Sequence, residues 1–305
     1  MNTPRFLNPF TDFGFKRLFG QEKNKDLLIH FLNQVLKDEA EPIIDLDYLN
    51  TELLGQSVED RSVIFDLYCK TISGTYFIVE LQTYSQVNFK ERILYYSTFA
   101  IQQQAQKGKW DFSLKKVFAI SLLDFILPED PTDEEEVKVH VQLVETSTKK
   151  IFYDKLTYIY LQLPKFNKHL DECLSPFDKW LYFIKNLEKL NKIPNELQEN
   201  IFMKLLDEAE LAKLNHDERY SYEMSLKRFR DYHNVIDHSF VKGIEKGKIE
   251  GKIEGKIEGK VEGKQESLEE VCEKMLLKGF SPEVISDVTG LSMNQILDSK
   301  NSLKG

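Results

Sequence analysis

Residues 60–82 read DRSVIFDLYCKTISGTYFIVELQ, and this stretch decides the fold of the chain. Residues 62–70 and 75–82 are rich in β-branched and aromatic side chains, which favour β-strands. Ser73 and Gly74 lie between the two segments and form a turn signal. The sequence therefore predicts a β-hairpin.

Three polar side chains of this hairpin are candidates for chemistry. Asp66 falls inside the first predicted strand, and Glu80 and Gln82 fall two residues apart in the second, so the latter two share a sheet face. A charge within an apolar strand is costly unless it is paired or bound to a metal. Carboxylates on adjacent strands suit Mg²⁺, but the same spacing also fits a solvated sheet face. Spacing alone does not distinguish a metal site from a solvated face.

The segments around the hairpin predict an α/β domain followed by an all-α C-terminal region. Apolar spacing indicates helices, whereas continuous or alternating apolar runs indicate strands. A solvated acidic loop at residues 128–136 interrupts the pattern. The predicted helices cover residues 26–37, 88–107 and most of 177–238, and the predicted strands cover residues 116–123, 137–145 and 158–163.

Residues 243–264 repeat the pattern Gly-Lys-Ile/Val-Glu every four residues and contain six of the 14 glycines. Glycine costs about 0.5–1 kcal/mol per helical position relative to alanine. A four-residue period also drifts about 40° per repeat around a straight helix. We therefore expect a conditional helix or a flexible arm, with dimeric pairing through its Ile stripe as a possible role.

The C-terminal segment, residues 265–305, carries helix start and stop signals. Ser281 and Pro282 mark a helix start, Gly290 marks its end, and Ser292 caps a further helix. The pattern fits a helical hairpin or a helix-turn-helix-like segment. The lack of a basic cluster favours the plain hairpin.

Composition excludes several classes of protein. The 305 residues carry a net charge of −9, but residues 1–120 are nearly balanced, with 14 basic and 15 acidic side chains. The three cysteines form no CxxC motif, and no apolar run is long enough to span a membrane, so we expect a cytoplasmic protein. The sequence has no HExxH motif, P-loop, GxGxxG or GxSxG, which leaves zinc-hydrolase, kinase, dinucleotide-binding and serine-hydrolase functions without support.

Three segments, taken in order, resemble the PD-(D/E)XK nuclease family transposases, also called Rpn recombination-promoting nucleases. The first is DFGFKRLF at residues 12–19, followed by the predicted helix. The second is Phe65-Asp66. The third is IVELQ at residues 78–82, followed by Arg92 and Tyr95-Tyr96. The resemblance covers about the first 165 residues, and the C-terminal repeat is also typical of such proteins.

The resemblance implies a restriction-endonuclease-like PD-(D/E)XK core, in which a mixed central sheet is flanked by helices. It also implies DNA cleavage that depends on Mg²⁺, with Mn²⁺ as a substitute. By this resemblance Asp66 is the metal-binding aspartate, Glu80 occupies the (D/E) position and Gln82 stands in the place of the motif lysine. Glutamine can only hydrogen-bond. The cationic role therefore falls to the metal or to a basic side chain, for which Lys16, Arg61 and Arg92 are the candidates.

Other residues keep two interpretations each. Asp12 is either a third metal-binding carboxylate or the N-cap of a helix. Lys16 either reaches a phosphate or is simply solvated. Arg92 and Tyr96 lie four residues apart on one helix face, which contacts either the DNA backbone or, through a Tyr96 hydrogen bond, the sheet.

These inferences define four regions: a nuclease-like core at 1–165, a helical region at 166–240, the repeat arm at 241–264 and the terminal segment at 265–305. The predicted function is a Mg²⁺-dependent DNA endonuclease linked to recombination or mobile elements. Its partners would be DNA and, through the arm, further copies of the chain, with no membrane. The alternative is a catalytically inactive protein of the same fold that binds nucleic acid or oligomerises.

Overall fold

A computed structural model describes residues 4–37, 39–53, 63–105, 108–128, 136–193 and 199–303. The chain divides into two compact units, residues 1–230 and 231–305. The finer boundaries predicted at 165, 240 and 264 stay predictions. No helix in the described ranges is long and apolar enough to cross a membrane.

The first unit alternates helices and strands before it becomes helical. In chain order the elements that begin in it are α1 (Asp12–Phe19), α2 (Lys25–Val35), β1 (Leu46–Tyr48), β2 (Glu52–Leu53), β3 (Val63–Ile64), β4 (Leu67–Thr71), β5 (Tyr76–Gln82), α3 (Phe89–Gln102), β6 (Val117–Leu123), β7 (Lys138–Val144), β8 (Ile151–Gln162), α4 (Pro176–Asn186), α5 (Asn200–Ala209) and α6 (His216–Leu277).

A mixed six-stranded sheet forms the centre of this unit, in the order β1-β4-β5-β6-β8-β7. Strands β5, β6 and β8 are parallel, and the other pairs are antiparallel. The predicted hairpin is confirmed as β4–β5, and Gly74 in its turn has a φ of 95°, a value that glycine adopts readily. The predicted mixed sheet with flanking helices and an all-α C-terminal region is thus confirmed.

Helices cover both faces of the sheet, which explains the apolar strands at its centre. Phe77 and Val79 of β5 belong to a large core shared with α1, α2, α4 and α5. Ile78 of β5 belongs to a second core on the opposite face, where α3 packs. All seven residues of β6 are buried, as expected for a strand covered on both sides.

The expectation that Asp66 lies inside a strand is wrong. Residues 65 and 66 interrupt the predicted strand, and Asp66 occupies a bend just before β4. The physical reason is that its carboxylate Oδ2 accepts the backbone N–H of Leu81 at 2.7 Å, so a side chain replaces a backbone acceptor at this point. Ser62, which we placed in the same strand, lies outside the described residues.

The N-cap interpretation of Asp12 is also wrong. Thr11 caps α1, because its hydroxyl accepts the backbone N–H of Gly14, and Asp12 is the first helical residue. Gly14 is required by close packing, since a Cβ built on it would lie 2.2 Å from the backbone oxygen of Asn8. The start of the DFGFK motif is therefore fixed by local sterics.

Strand β8 is longer than predicted, because it begins at Ile151 rather than at residue 158. Its first residues are exposed, with Ile151 58% and Phe152 79% accessible. This half of the strand therefore has no pattern of buried residues from which a strand could be predicted. Pairing with β7 holds this half instead. Residues 129–135 of the predicted acidic loop lie outside the described residues.

In the second unit, the repeat is helical, and the Ile and Val side chains of its apolar stripe are exposed. Residues 243–264 form part of the continuous helix α6. Further on, α7 (Pro282–Thr289) and α8 (Met293–Ser302) pack against the end of α6 around a small core of Cys272, Ile285, Leu291 and Ile296. The predicted Gly290 stop is confirmed by its φ of 73°.

Candidate active site

Asp66 and Glu80 meet at the end of the β4–β5 hairpin. The Asp66 backbone N–H donates to Glu80 Oε1 at 3.2 Å, and the Leu81 backbone N–H donates to Asp66 Oδ2 at 2.7 Å. Each carboxylate thus has one oxygen held by the backbone beside the other acid. Glu80 is 4% exposed. The hairpin therefore brings two carboxylates together at a buried position.

Burial dominates the electrostatics of this pair. Burial raises the pKa of Asp66, and it raises the pKa of Glu80 well above its usual range, with the adjacent Asp66 charge adding to the rise. The positive charges of Lys16 and Arg92 oppose the rise in both pKa values. In the absence of a further cation, the ionised pair is therefore costly.

The sequence reading missed Ser121 as a neighbour of this pair. In the parallel register Ser121 of β6 lies beside Glu80, with Tyr160 of β8 next in the same row. The Ser121 hydroxyl is fully buried and has no hydrogen-bond partner among the described residues. A lone polar residue in the apolar run VFAISLL, residues 117–123, was the signal that could have identified it.

Gln82 is joined to a cation. Its side-chain Oε1 accepts a short hydrogen bond from Arg92 Nη2, and Arg92 Nη1 donates to Gln86 Oε1 at 2.5 Å. Gln82 is 9% exposed and lies on the same sheet face as Glu80. The structure thus brings the Arg92 guanidinium into contact with Gln82, beside Glu80.

Aromatic rings hold Arg92 in place. Its guanidinium carbon lies 5.7 Å from the ring centre of Phe89 and 5.8 Å from that of Tyr96, distances suited to cation–π contact. Burial and the Glu80 charge raise the pKa of Tyr96. Arg92 and Tyr96 line a cavity of about 560 Å³ together with Tyr95 and residues 86–88 and 91.

The Arg92 side chain retains a free donor. Its Nε is buried and has no hydrogen-bond partner among the described residues. An unsatisfied buried donor costs about 1–3 kcal/mol.

The α1 candidates lie at the edge of the site. Lys16 Nζ pairs with Asp12 Oδ1 at 2.6 Å, and the two side chains are 45% and 62% exposed. Within the described ranges, no three His, Cys, Asp or Glu side chains are placed to share a metal ion. Asp12 therefore stands with Lys16 rather than with the two central carboxylates.

Of the candidate residues, one lies outside the described part of the chain, and the others lie at or near the carboxylate pair. Arg61 lies outside the residues that the structure describes. Asp66, Glu80, Gln82, Arg92 and Tyr96 form one cluster, with Lys16 and Asp12 close enough for their charges to act on its acids. The three cysteines, Cys69, Cys173 and Cys272, are free and buried.

Comparison with known proteins places this arrangement in a family. No curated protein and no solved structure matches the chain. A family model described as PD-(D/E)XK nuclease family transposase matches residues 9–239. That range covers most of the chain and includes every element that contributes to the carboxylate pair. The chain therefore belongs to the PD-(D/E)XK nuclease family of transposases.

Proposed function

We propose that this protein is a DNA endonuclease that hydrolyses phosphodiester bonds with the aid of Mg²⁺. One observation carries the proposal: the buried Glu80 and the partly buried Asp66, each fixed by a backbone N–H beside the other, stand next to a glutamine that binds an arginine. Family membership supports a nuclease-type hydrolase. The choice of DNA, of Mg²⁺ and of endonucleolytic cleavage is our proposal.

The residues present fit a divalent cation. Asp66 and Glu80 supply hard oxygen donors, which Mg²⁺ and Mn²⁺ prefer. Their pKa values are raised by burial, and a bound cation would reverse that effect by favouring the ionised forms. Two protein carboxylates completed by waters and substrate oxygens are a usual Mg²⁺ arrangement, so the lack of a third carboxylate at the pair does not argue against the ion.

Each side chain of the site then has its own role in the proposed reaction. When bound, a divalent cation neutralises charge on the phosphodiester and lowers the pKa of a water molecule. Asp66 and Glu80 hold the cation. Gln82 keeps the Arg92 guanidinium oriented, and Arg92 stabilises the negative charge that develops on the phosphate. Lys16, Tyr96 and Arg61 are proposed as contacts to the DNA backbone.

The wider biology is proposed on the same basis. Family membership supports a link with recombination or mobile elements. The exposed Ile stripe on α6 supports assembly of several copies through the arm. Both statements extend beyond the cleavage site and have separate tests.

A supercoiled-plasmid nicking assay tests the proposal. Wild type with Mg²⁺ should convert supercoiled plasmid to the nicked form, and a chelator should stop the reaction. Asp66→Ala should lower the rate by about a thousandfold, because several kcal/mol of charge stabilisation are lost. Equal rates for wild type and Asp66→Ala would exclude the endonuclease.

A non-catalytic DNA-binding protein is the alternative, favoured by the glutamine in place of the motif lysine. It predicts DNA binding that is unchanged by a chelator and by Asp66→Ala, together with no nicking. The same set of proteins therefore distinguishes the two functions.

A further inference from the structure

A second cleft of about 540 Å³ lies between α1 and the first turns of α6. Its two walls are joined by packing, since the rings of Phe13 and Tyr222 lie 6.0 Å apart. The backbone N–H of Phe13 also donates to the Ser225 hydroxyl at 3.1 Å. Both walls belong to the first unit, so the cleft is a fixed feature of that unit.

Among the residues that the structure describes, Arg228 is the cation lining the cleft that has no ion-pair partner. Lys16 forms an ion pair with Asp12 at 2.6 Å. Arg17 is 5% exposed and is held by Glu218 and Glu208. Arg228 also lines the cleft and is exposed, and no residue in the described part of the chain forms an ion pair with it. The cleft therefore offers an unpaired positive charge to an anion.

Arg228 forms a row with two apolar side chains. Tyr220, Met224 and Arg228 lie four residues apart along α6 and so share one side of the helix. The side chains of Tyr220 and Met224 are 64% and 37% exposed. A ring, a thioether and a guanidinium in one row match a nucleotide strand, which presents an apolar base face beside each phosphate.

The α1 wall of the cleft carries a charge that acts on the carboxylate pair. Asp12 and Lys16 line its α1 side, and the Lys16 charge acts on both Asp66 and Glu80. A strand with its scissile phosphate at the carboxylates would therefore reach the cleft with its neighbouring nucleotides. Because a ring can stack only on a base released from the duplex, the match is to an unpaired strand.

We propose that the cleft between α1 and α6 binds unpaired nucleotides of the substrate strand next to the scissile phosphate. Arg228 contacts a phosphate and Tyr220 stacks on a base. This proposal rests on the nuclease function proposed above, and it adds the class of substrate: DNA with a single-stranded segment beside the cleavage position.

Fluorescence anisotropy with a 20-nucleotide single strand tests the cleft without cleavage, because a chelator is present throughout. Arg228→Gln and Tyr220→Ala should each raise the dissociation constant about fivefold or more. Lys227→Gln is the matched control, since Lys227 is the exposed neighbour of Arg228 but does not line the cleft, and it should change the constant less than twofold. Arg228→Gln should also reduce the slope of log affinity against log salt by about 0.7.

Duplex DNA and polyglutamate identify the ligand class. Tyr220→Ala should leave binding of the duplex form unchanged, and polyglutamate should displace the single strand only weakly. The proposal is overturned if wild type does not bind the single strand, if the cleft variants match Lys227→Gln, or if polyglutamate competes equally. If wild type nicks DNA but the cleft variants bind the single strand as tightly as wild type, the cleft proposal is refuted and the nuclease proposal stands. Cleft-dependent binding without nicking would refute the nuclease.

Discussion

At the residue scale, we propose that a contact between Gln82 and Arg92 compensates for the departure from the family motif. Gln82 cannot supply the positive charge of the motif lysine. The Arg92 guanidinium reaches Gln82 from α3, ten residues further along the chain, and lies between the rings of Phe89 and Tyr96. By this proposal α3 supplies the cation through Arg92, and β5 supplies the Gln82 side chain that binds it.

A charge-swap experiment tests this compensation. Arg92→Gln should reduce nicking by about 100-fold, the usual loss when one stabilising donor is removed. Gln82→Lys alone should also be impaired, because it places two cations in contact. The double variant Gln82→Lys/Arg92→Gln should recover much of the rate. If the double variant is as inactive as the product of the two single losses predicts, Arg92 does not replace the lysine.

The raised pKa of Glu80 predicts a pH-dependent stability of the metal-free protein. Because burial raises this pKa well above 4.5, the folded chain keeps a proton that the unfolded chain has lost. Stability should therefore fall as pH rises from about 4.5 through the raised pKa, by about 1.4 kcal/mol per pKa unit. Glu80→Gln removes this loss, so its melting temperature in chelator should exceed that of wild type at pH 8 by several degrees.

The advantage of Glu80→Gln should shrink as the pH approaches 4. The exposed Glu91→Gln, on α3, serves as the control with the same chemical change. Thermal melts across pH 4–8 provide the measurement. Parallel pH profiles for wild type and Glu80→Gln would contradict the assigned burial penalty.

Part of the site was readable from the sequence. Alternation in residues 78–82 places Glu80 and Gln82 on one face, and the structure agrees. The contact between Arg92 and Gln82 was beyond the sequence, because it depends on how α3 packs on the sheet. Ser121 was missed for the same reason, since its place beside Glu80 follows from the strand order and register.

At the element scale, the glycines of α1 and of the repeat in α6 have opposite effects on stability. Gly14 lies in α1, where an added Cβ would meet a backbone oxygen at 2.2 Å. Gly255 lies in the repeat of α6, where an added Cβ would meet nothing within 4 Å. The first glycine is required by packing, whereas the second only weakens its helix.

Matched alanine substitutions test this distinction. Gly14→Ala should destabilise the protein by about 1–3 kcal/mol through overpacking, which thermal melts would detect. Gly255→Ala should instead favour the helix by about 0.5–1 kcal/mol and slow amide hydrogen exchange in the repeat. Equal effects of the two substitutions would show that the α1 contact is not as described.

Element boundaries were predictable where burial leaves a pattern. The apolar runs gave β6 and α2 within a residue or two. The first half of β8 was not predictable, because its exposed residues are held by backbone pairing with β7. The bend at Asp66 was missed because a side-chain acceptor replaces the strand pattern there.

At the scale of the whole molecule, charge and exposure are distributed by region. Most of the net charge of −9 lies after residue 120, outside the segment that contains the carboxylate pair. On α6 the side chains of Ile249, Ile253, Ile257 and Val261 are each more than half exposed. Such a stripe is stable in water when it pairs with another copy.

Light scattering of the full-length protein tests this assembly. Wild type should have a mass that is a multiple of 35.8 kDa, because pairing buries the stripe. The triple variant Ile249→Ser/Ile253→Ser/Ile257→Ser should shift toward the single-chain mass, while Lys252→Ser, in the same repeat, should not. A single-chain mass for wild type, or an unchanged mass for the triple variant, would remove the arm from assembly.

The central claim is that Asp66 and Glu80 together hold a divalent cation. The most direct measurement is an anomalous difference map from crystals of the protein soaked in Mn²⁺. The account predicts one strong peak within ligand distance of both carboxylates, and its loss in Asp66→Ala. If protein that nicks DNA gives crystals with no Mn²⁺ peak between Asp66 and Glu80, or with the peak elsewhere, the account is contradicted.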